Sequence, residues 1–456
     1  MHNTSVCCNV LIIGGGLAGL SAAHYFNSVG MSDFLIVEAD NRLGGRIYSD
    51  LKTGIEIGAE FIHGEGNMAY DIVANKMKVP LHMVFDFSKT DPKQHGAMYF
   101  IDGKLHGIDS PIAKQMLNYI DDLMNDEQLK KGPDMSVKEW LISRKVPEKY
   151  HVFIDSLLAK TNGGCLLSAS AKGLQEEGNK WPYGSGNFQL NDDNYMEPSM
   201  MKYLTSNLCL KDQVRLNYKV YNIDYTCKNG MIKVNNGEIM CNKVILTVPI
   251  SVLRSQQIVF NPPLSPLKTH IIQNMLPMQS GMKVVLRFKR PFWRELIPDT
   301  NIIILGDNHP FVAQLWFPHV SQKKHDEFGY YLTGFSMGNK TDNALFYSEE
   351  EIANSVRELV QKVFNLNANN DGFIGGIVKN WQSFQFVGGS YSFAGVSDAS
   401  RMNFVENCRE VLAEPIENRI FFAGEAYADY SPASLHGSLE TGQKAAQTIM
   451  SKHSKL

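Results

Sequence analysis

The order of apolar and polar residues at the start of the chain predicts a strand, a helix and a second strand. Residues 9–15 (NVLIIGG) form a continuous apolar run, which is typical of a buried strand. Residues 17–30 (LAGLSAAHYFNSVG) have helical spacing and finish at Gly30, where a helix can end. Residues 33–40 (DFLIVEAD) form the second apolar run. This order predicts a βαβ unit.

Helical periodicity returns in three further stretches. Residues 109–131 and 136–160 are predicted to be helical. Another helix is predicted from Ser348, because Glu351 three residues later completes a capping box. The apolar faces are interpreted as core, and they comprise Met116, Leu117, Ile120, Leu123 and Met124 in the first stretch and Ile352, Val356, Leu359 and Val363 in the last.

The β-rich signals lie between and after these helices. Residues 218–249 alternate in short apolar runs around two Asn-Gly dipeptides, at 229–230 and 236–237, which favour tight hairpin turns. Near the C-terminus, residues 419–425 (RIFFAGE) predict a strand, and a last helix is predicted from about Ser434. The whole pattern predicts an α/β protein.

Length and composition exclude several classes of protein. The chain has 456 residues, which is long for a single core, so we expect two domains. Its formal net charge of -3 provides no basic field for nucleic acid. The N-terminus runs straight into the first strand, and no apolar run is long enough for a membrane helix. We therefore expect a soluble, intracellular protein that does not bind nucleic acid or a membrane.

The cysteine pattern predicts neither disulfides nor a metal site. The seven cysteines are an odd number and contain no C-x-x-C pair. Free thiols in a reducing compartment are the expected state.

A glycine-rich turn carries the first chemical signal. Gly14, Gly16 and Gly19 fit G-x-G-x-x-G between a strand and a helix, which is the setting of a dinucleotide site. The helix N-terminus supplies amide donors for the phosphates, and we expect Ala18 in the same turn to contact the cofactor. Glu38 ends the second strand, where a carboxylate can accept from both ribose hydroxyls.

Two arginines follow the acidic residue. Arg42 and Arg46 flank a Gly-Gly pair in ADNRLGGRIYS. Cations beside the pyrophosphate suit a permanently held cofactor better than one that exchanges. Surface ion pairs are the alternative interpretation of both side chains.

Together with later segments, these residues resemble the flavin-containing amine oxidase family, which includes polyamine oxidases, monoamine oxidases and lysine-specific histone demethylases. The resemblance covers nearly the whole chain in the order of the family, and it is closest to the peroxisomal polyamine oxidases. The matching segments are GGGLAGL…VEADNRLGGR, GAEFIHG (58–64), VILTVPISVL (244–253), IVFNPPL (258–264), GMKVVLRFKRPFW (281–293), GGSYS (388–392) and FFAGEAYADYSPASLHGSLETGQKAA (421–446).

The resemblance implies two domains assembled from separated segments. A Rossmann-like FAD-binding domain is expected from residues 1–85, 205–270 and 390–453. An α+β substrate-binding domain is expected from residues 86–204 and 271–389.

The resemblance also implies substrate contacts. GAEFIHG resembles the polyamine oxidase form of its motif, so His63 is expected near the substrate amine; a core histidine is the alternative. Glu60 and Glu65 are expected to attract a polycation, with surface carboxylates as the alternative. Tyr391 is implied as one aromatic wall. Ser434 stands where monoamine oxidases carry the opposite wall, so a wider site is expected, in which Tyr427 or Tyr430 are candidates to compensate.

Further positions are implied to meet FAD. Lys283 lies in an alternating strand (MKVVLRF) and is expected to be buried beside flavin N5 through a bridging water, with an exposed strand face as the alternative. Ser390 replaces the cysteine that monoamine oxidases join covalently to FAD, so the cofactor is expected to be non-covalent.

Three more segments are implied to hold the ends of the cofactor. Gly424 and Glu425 close the strand FFAGE, and Glu425 is expected to bind the ribityl region. Leu435 begins a helix whose N-terminus would face flavin N1 and O2 and stabilise negative charge there. Val220 is expected on the adenine side.

The chain ends in Ser-Lys-Leu at residues 454–456, the tripeptide read by the peroxisomal import receptor. The resemblance implies that FAD takes a hydride from an uncharged amine and that oxygen then yields hydrogen peroxide. Hydrolysis of the imine would give an aldehyde and a shorter amine. A peroxide-producing enzyme fits a peroxisome, so the leading hypothesis is a peroxisomal polyamine oxidase acting on spermine, spermidine or their N1-acetyl derivatives.

Three other functions are weighed against this one. An L-amino-acid oxidase would need a cation for the substrate carboxylate, and the chain has no arginine between Arg46 and Arg144. A histone demethylase would need a long helical insertion and a chromatin-binding domain. A binding module like the Rab escort and dissociation-inhibitor proteins would share the glycine turn without the catalytic residues. The preferred polyamine, the C–N bond cleaved and the oligomeric state stay open.

Overall fold

The computed structural model describes residues 5–191, 193–227, 230–318, 322–369, 371–396 and 406–453. Its first sheet begins with the predicted βαβ unit, in which strands Val6–Ile13 and Phe34–Val37 are parallel and helix Leu17–Ser28 connects them. Within the described residues, this first sheet has eight strands. The other members are Val214–Arg215, Asn222–Asp224, Ile232–Val234, Ile239–Leu246, Val259–Asn261 and Ile420–Phe422.

The centre of the first sheet is parallel and largely apolar. Strand Val6–Ile13 lies between Phe34–Val37 and Ile239–Leu246, and Ile420–Phe422 also pairs in parallel with Ile239–Leu246. Helix Leu17–Ser28 and the C-terminal helix Leu435–His453 share a core on one face of this sheet. Parallel strands need such cover, which explains their continuous hydrophobic runs.

The second sheet is largely antiparallel and has seven strands in the described ranges. Helix Glu349–Phe364 packs on one face, and the predicted capping box between Ser348 and Glu351 is confirmed. The predicted stripe of that helix is buried, as expected. In spatial order the strands are Phe373–Asn380, Gly281–Phe288, Tyr330–Met337, Gln314–Trp316, Ile302–Leu305, Ala97–Ile101 and Lys104–His106.

The two long helices predicted between residues 109 and 160 are interrupted, so their predicted lengths are wrong. The first stops at Met124, because Asp126 caps a new helix with its side chain. The second stops at Ser143, because Lys145 has a left-handed backbone (φ 55°) and Pro147 cannot continue a helix. Helices in this region are Pro111–Met124, Glu127–Lys131, Val137–Ser143, His151–Ile154 and Ala171–Lys180. Met116 and Leu123 are core residues, as predicted.

The hairpin predicted at residues 236–237 is confirmed, since strand Ile232–Val234 pairs antiparallel with Ile239–Cys241. The dipeptide at 229–230 lies partly outside the described residues. Smaller strands are Ser49–Asp50, Ile55–Glu56, Ile62–His63, Leu81–Asp86, Gly186–Leu190, Met278–Gln279 and Tyr391–Ser392. Remaining α-helices are Met68–Tyr70, Pro92–His95, Met196–Leu204, Leu210–Gln213, Ile250–Arg254, Pro266–His270, Phe292–Leu296, Gln322–Phe328, Asn339–Asn343 and Cys408–Ala413.

The segments of the first sheet come from residues 6–37, 214–261 and 420–422, and those of the second come from residues 97–106 and 281–380. The residue limits of the two expected domains stay a prediction. All seven cysteines lie in the described ranges as free thiols. No described helix has the length and apolarity needed to cross a membrane.

Candidate active site

One large cavity reaches residues of both sheets. Its volume is about 1050 Å³, and its wall includes the glycine turn of the first sheet and Lys283 of the second. Pockets for a single small ligand are usually about 300–1,000 Å³. The volume is therefore sufficient for a dinucleotide and a small substrate.

The glycine turn has the geometry of a pyrophosphate cradle. A methyl group on Gly14 would lie 2.4 Å from Thr247 Oγ1, and one on Gly19 would lie 2.0 Å from the carbonyl oxygen of Gly14. At Gly16, by contrast, an added methyl would meet no atom within 4 Å. Gly14 and Gly19 thus allow tight packing within the protein, while Gly16 leaves space at the N-terminus of helix Leu17–Ser28 for a phosphate.

The acidic residue at the end of the second strand lies where the motif predicts it. Glu38 lines the cavity and accepts hydrogen bonds from the backbone amides of Gly15 (2.6 Å) and Asp40 (2.8 Å). Burial raises the pKa of Glu38. Val220 lies on the same wall. Glu38 therefore holds the glycine turn in addition to its expected role toward the ribose.

Arg42 organises a loop and does not present a free cation. Its guanidinium donates to the carbonyl oxygens of Gly45 (2.5 Å), Leu43 (3.1 Å) and Ile47 (3.2 Å) and pairs with Glu197 at 3.3 Å. Although Arg42 lines the cavity, its donors serve the Gly-Gly turn. Any effect on the cofactor would therefore act mainly through the shape of this loop.

Arg46 and Glu425 form an ion pair on the cavity wall, in which Glu425 is buried and Arg46 is partly exposed. Arg46 Nη1 donates to Glu425 Oε1 at 2.8 Å and to the carbonyl of Ser390 at 2.7 Å. Burial alone would raise the pKa of Glu425, but Arg46 and the more distant Arg409 hold it below its usual value. Gly424, the residue directly before Glu425, has a backbone φ of 135°, a conformation that favours glycine.

Arg409 extends the network away from the cavity, and sequence reasoning missed it. Arg409 Nε lies 2.6 Å from Glu177 Oε1, and Nη1 donates to Ser392 Oγ at 2.7 Å. Ser392 Oγ in turn donates to Glu425 Oε2 at 2.6 Å. No local signal marks this network, because Glu177 and Arg409 are 232 residues apart and each resembles a surface charge on its own helix.

Lys283 is buried, as predicted. Its Nζ atom lies 2.6 Å from Glu60 Oε2, and it also donates to the carbonyl oxygens of Glu56 (2.6 Å) and Gly58 (3.0 Å). A bridging water on Lys283 would have to replace one of these contacts, because an ammonium has three donors. Glu60 was expected to attract substrate, but its carboxylate faces Lys283.

Two neutral histidines lie near the predicted substrate position. His63 lines the cavity and its Nδ1 is 2.5 Å from Asn187 Oδ1; burial lowers its pKa. His436 is fully buried against Trp181 and Tyr183. Burial, and to a smaller extent the nearby His63, lowers the pKa of His436 to about 3. In the described part of the chain, neither ring nitrogen of His436 has a hydrogen-bond partner. An uncharged histidine pair suits an uncharged amine.

The predicted aromatic wall lies on the cavity, and its ring is held in place. Tyr391 lines the cavity and its hydroxyl donates to the carbonyl of Thr161 at 2.9 Å. Ser434 also lines the cavity, but its hydroxyl donates to Ser431 and accepts from Gly437 at the start of the C-terminal helix. Leu435 begins that helix and reaches the wall as predicted.

The other aromatic residues of the cavity wall differ from those that sequence reasoning considered. Tyr427 belongs to the core of the first sheet, and Tyr430 is 60% exposed; neither lines the cavity. Trp316 and Phe335, stacked at 4.3 Å between ring centroids, line the cavity together with Phe61. Glu65 is exposed and lies outside the cavity wall.

The residues present fit FAD. The open space at Gly16 suits the pyrophosphate and the Glu38 carboxylate suits the ribose. A helix N-terminus at Leu435 suits a flavin that gains negative charge on reduction. The described residues contain no group of side chains placed to hold a metal ion.

Comparison with known proteins agrees with this geometry. Residues 17–450 match the family model for flavin containing amine oxidoreductase. Amine oxidase [flavin-containing] B of Bos taurus is 22% identical over 98% of this chain and 87% of its own length.

Solved structures agree on the fold. Wild-type putrescine oxidase bound to putrescine has a TM-score of 0.78 at 18% identity, covering 98% of this chain and all of its own. Cyclohexylamine oxidase from Brevibacterium oxydans has a TM-score of 0.76 at 17% identity, covering 98% of this chain and 99% of its own. The chain has the amine oxidase fold, and with a family match over residues 17–450 it belongs to the flavin-containing amine oxidoreductases and is an FAD-dependent amine oxidase.

Proposed function

We propose that the protein oxidises a secondary amine of a polyamine, and that N1-acetylated polyamines fit better than free ones. The observation that carries this proposal is the charge balance of the cavity. Among the described residues, the carboxylates on its wall are Glu38, Asp40, Glu60 and Glu425. Glu60 and Glu425 are paired with cations, while Glu38 and Asp40 flank the expected ribose site. An acetylated end carries no charge and needs no carboxylate partner.

The chain's own side chains supply position and electrostatics. Bound FAD supplies the hydride acceptor and, with oxygen, the route to hydrogen peroxide. Asn187 fixes the ring of His63, whose neutral form can lie beside an uncharged amine nitrogen. Thr161 fixes Tyr391, so its ring can bound the path of the amine. The similarity in fold to putrescine oxidase bound to putrescine supports an aliphatic amine as substrate.

A second candidate is the oxidation of an apolar monoamine. The stacked pair Trp316 and Phe335, together with Phe61, gives one side of the cavity an aromatic surface. Such a surface contacts an aryl or cyclic amine as readily as a methylene chain. The similarity in fold to cyclohexylamine oxidase supports this alternative.

Anaerobic mixing distinguishes the two candidates. The purified yellow protein would be mixed with N1-acetylspermine, spermine, spermidine and benzylamine in turn, and the loss of flavin absorbance would be followed. Fastest bleaching by N1-acetylspermine is expected. Fastest bleaching by benzylamine would support the monoamine candidate and overturn the polyamine proposal. Fastest bleaching by spermine would support a polyamine substrate but would overturn the preference for N1-acetylated polyamines that is argued from the charge balance.

We also propose that the protein is imported into peroxisomes. The proposal is supported by the Ser-Lys-Leu sequence at residues 454–456, which lies outside the described residues, and by the hydrogen peroxide that the reaction releases. Removal of residues 454–456 is expected to leave a diffuse enzyme in a cell in which the full chain is punctate. Continued punctate localisation of the shortened chain would overturn this proposal.

A further inference from the structure

A buried ion pair joins two segments of the cavity wall that are far apart in the sequence. Lys283, on strand Gly281–Phe288, and Glu60 both line the cavity. Their side chains are 6% and 4% exposed, and Nζ lies 2.6 Å from Oε2. Charges this close and this poorly hydrated interact far more strongly than a surface pair.

The ammonium of Lys283 uses its three donors within one short segment. The acceptors are the carbonyl oxygens of Glu56 and Gly58 and the carboxylate of Glu60. These contacts join residues 56–60 to a central strand of the second sheet. A lysine with three matched acceptors is held in one orientation, in contrast to a lysine that reaches into solvent.

Glu60 is itself held from the opposite side. Gln189 Nε2 donates to Glu60 Oε1 at 2.6 Å, so each carboxylate oxygen has a partner. Gln189 lies on strand Gly186–Leu190, which pairs with strand Ile62–His63. A cationic substrate could pair with Glu60 only by displacing a buried partner, which is unfavourable.

We propose that Glu60 is a positioning residue for Lys283 and not an anchor for the substrate. Glu60 fixes the direction of the ammonium and cancels its charge at the cavity wall. Loss of the carboxylate would leave a buried, uncompensated cation beside the redox site. The proposal rests on the amine oxidase reaction of the family and is independent of whether the amine is a polyamine.

Three variants test this arrangement: Glu60→Gln, Lys283→Met and the double variant. The first readout is the midpoint potential of the bound flavin, which responds to local charge. Removal of the negative charge is expected to raise the potential and removal of the positive charge to lower it, since reduced flavin carries negative charge. The double variant is expected to return close to the wild-type potential, because it again has no net charge at this position.

The second readout separates the two half-reactions by rapid mixing. Flavin reduction by the amine and flavin reoxidation by oxygen are measured apart, together with the amine concentration that gives half-maximal reduction. In the wild-type background, Glu60→Gln is expected to slow flavin reduction or flavin reoxidation several-fold. In the Lys283→Met background, it is expected to leave the rates of both half-reactions unchanged. The half-saturating amine concentration is expected to change less than twofold between Lys283→Met and the double variant.

An exposed carboxylate serves as the control. The side chain of Glu148 is 89% exposed and does not line the cavity, so Glu148→Gln makes the same charge change at a solvated position and should alter neither readout. If Glu60 instead binds the substrate, its removal would raise the half-saturating amine concentration severalfold in both backgrounds, which would overturn the proposal. If Glu60→Gln fails to retain FAD, comparison of Lys283→Met with the charge-neutral double variant still decides between the two roles.

Discussion

Arg409→Met tests the buried charge network behind the cavity. Arg409 is 2% exposed, lies 2.6 Å from Glu177 and donates to Ser392 Oγ (2.7 Å) and the carbonyl of Ala426 (3.1 Å). Methionine keeps much of the volume but removes the charge and these donors. The carboxylate of Glu177, whose pKa burial already raises, then has no cation beside it in this network.

The expected loss of stability is a large fraction of the free energy of unfolding of a typical protein. Removal of one partner of a buried ion pair costs about 3–5 kcal/mol. Each of the other two hydrogen bonds contributes about 1 kcal/mol. Because the side chain of Glu177 is 17% exposed, water offsets part of the first cost. A total of about 5 kcal/mol is therefore expected, near the lower end of the free energy of unfolding of a typical protein, about 5–15 kcal/mol.

Urea unfolding, followed by tryptophan fluorescence and by release of flavin, measures this loss. The double variant Glu177→Gln with Arg409→Met carries no unpaired charge, so it should be more stable than Arg409→Met alone. The reasoning would be refuted if the two substitutions lowered the free energy of unfolding additively, because buried partners in contact must show coupling. Flavin should be released together with unfolding, since Ser392 links Arg409 to Glu425 on the cavity wall.

Three further predictions concern the cofactor cradle and the response to pH. Gly16→Ala should keep the thermal unfolding midpoint of the wild type but lose flavin on gel filtration. Gly19→Ala should lower both the unfolding midpoint and the flavin content, because only the methyl group at Gly19 collides with backbone. Equal unfolding midpoints of the two variants would contradict this. Glu38→Ala should reduce the flavin-to-protein absorbance ratio, and an unchanged ratio would contradict its role toward the ribose. Burial lowers the pKa of His436 to about 3. Below about pH 6.5 the unfolded chain therefore binds a proton that the folded chain does not, and the free energy of unfolding decreases as the pH is lowered. From pH 6.5 to 5.0 the contribution of His436 is a loss of about 1.6 kcal/mol. Urea unfolding at both pH values should show a smaller loss in His436→Phe than in the wild type, and an equal loss in both would contradict this prediction.

Elements with signals in the local sequence were predicted well. The helix after Ser348 begins where its capping box places it, because both hydrogen bonds of the box form within four residues. The long helix predicted over residues 109–131 is interrupted, since the side chain of Asp126 accepts from backbone amides and starts a new helix. Apolar periodicity continues through such a break and cannot reveal it.

By itself, the sequence determined the dinucleotide turn, and the resemblance of its motifs implied the family, the cofactor and the burial of Lys283. These features depend on residue types at fixed short spacing and on motifs that keep the order of the family. The tertiary structure alone decided the partners of the buried charges: Glu60 lies 223 residues before Lys283, and Glu177 lies 232 residues before Arg409. Alternation in a strand groups the side chains by face, but which faces are buried and which atoms lie across from them depend on how the sheets pack. For this reason the charge balance of the cavity, and with it the proposed choice of substrate, followed only from the folded chain.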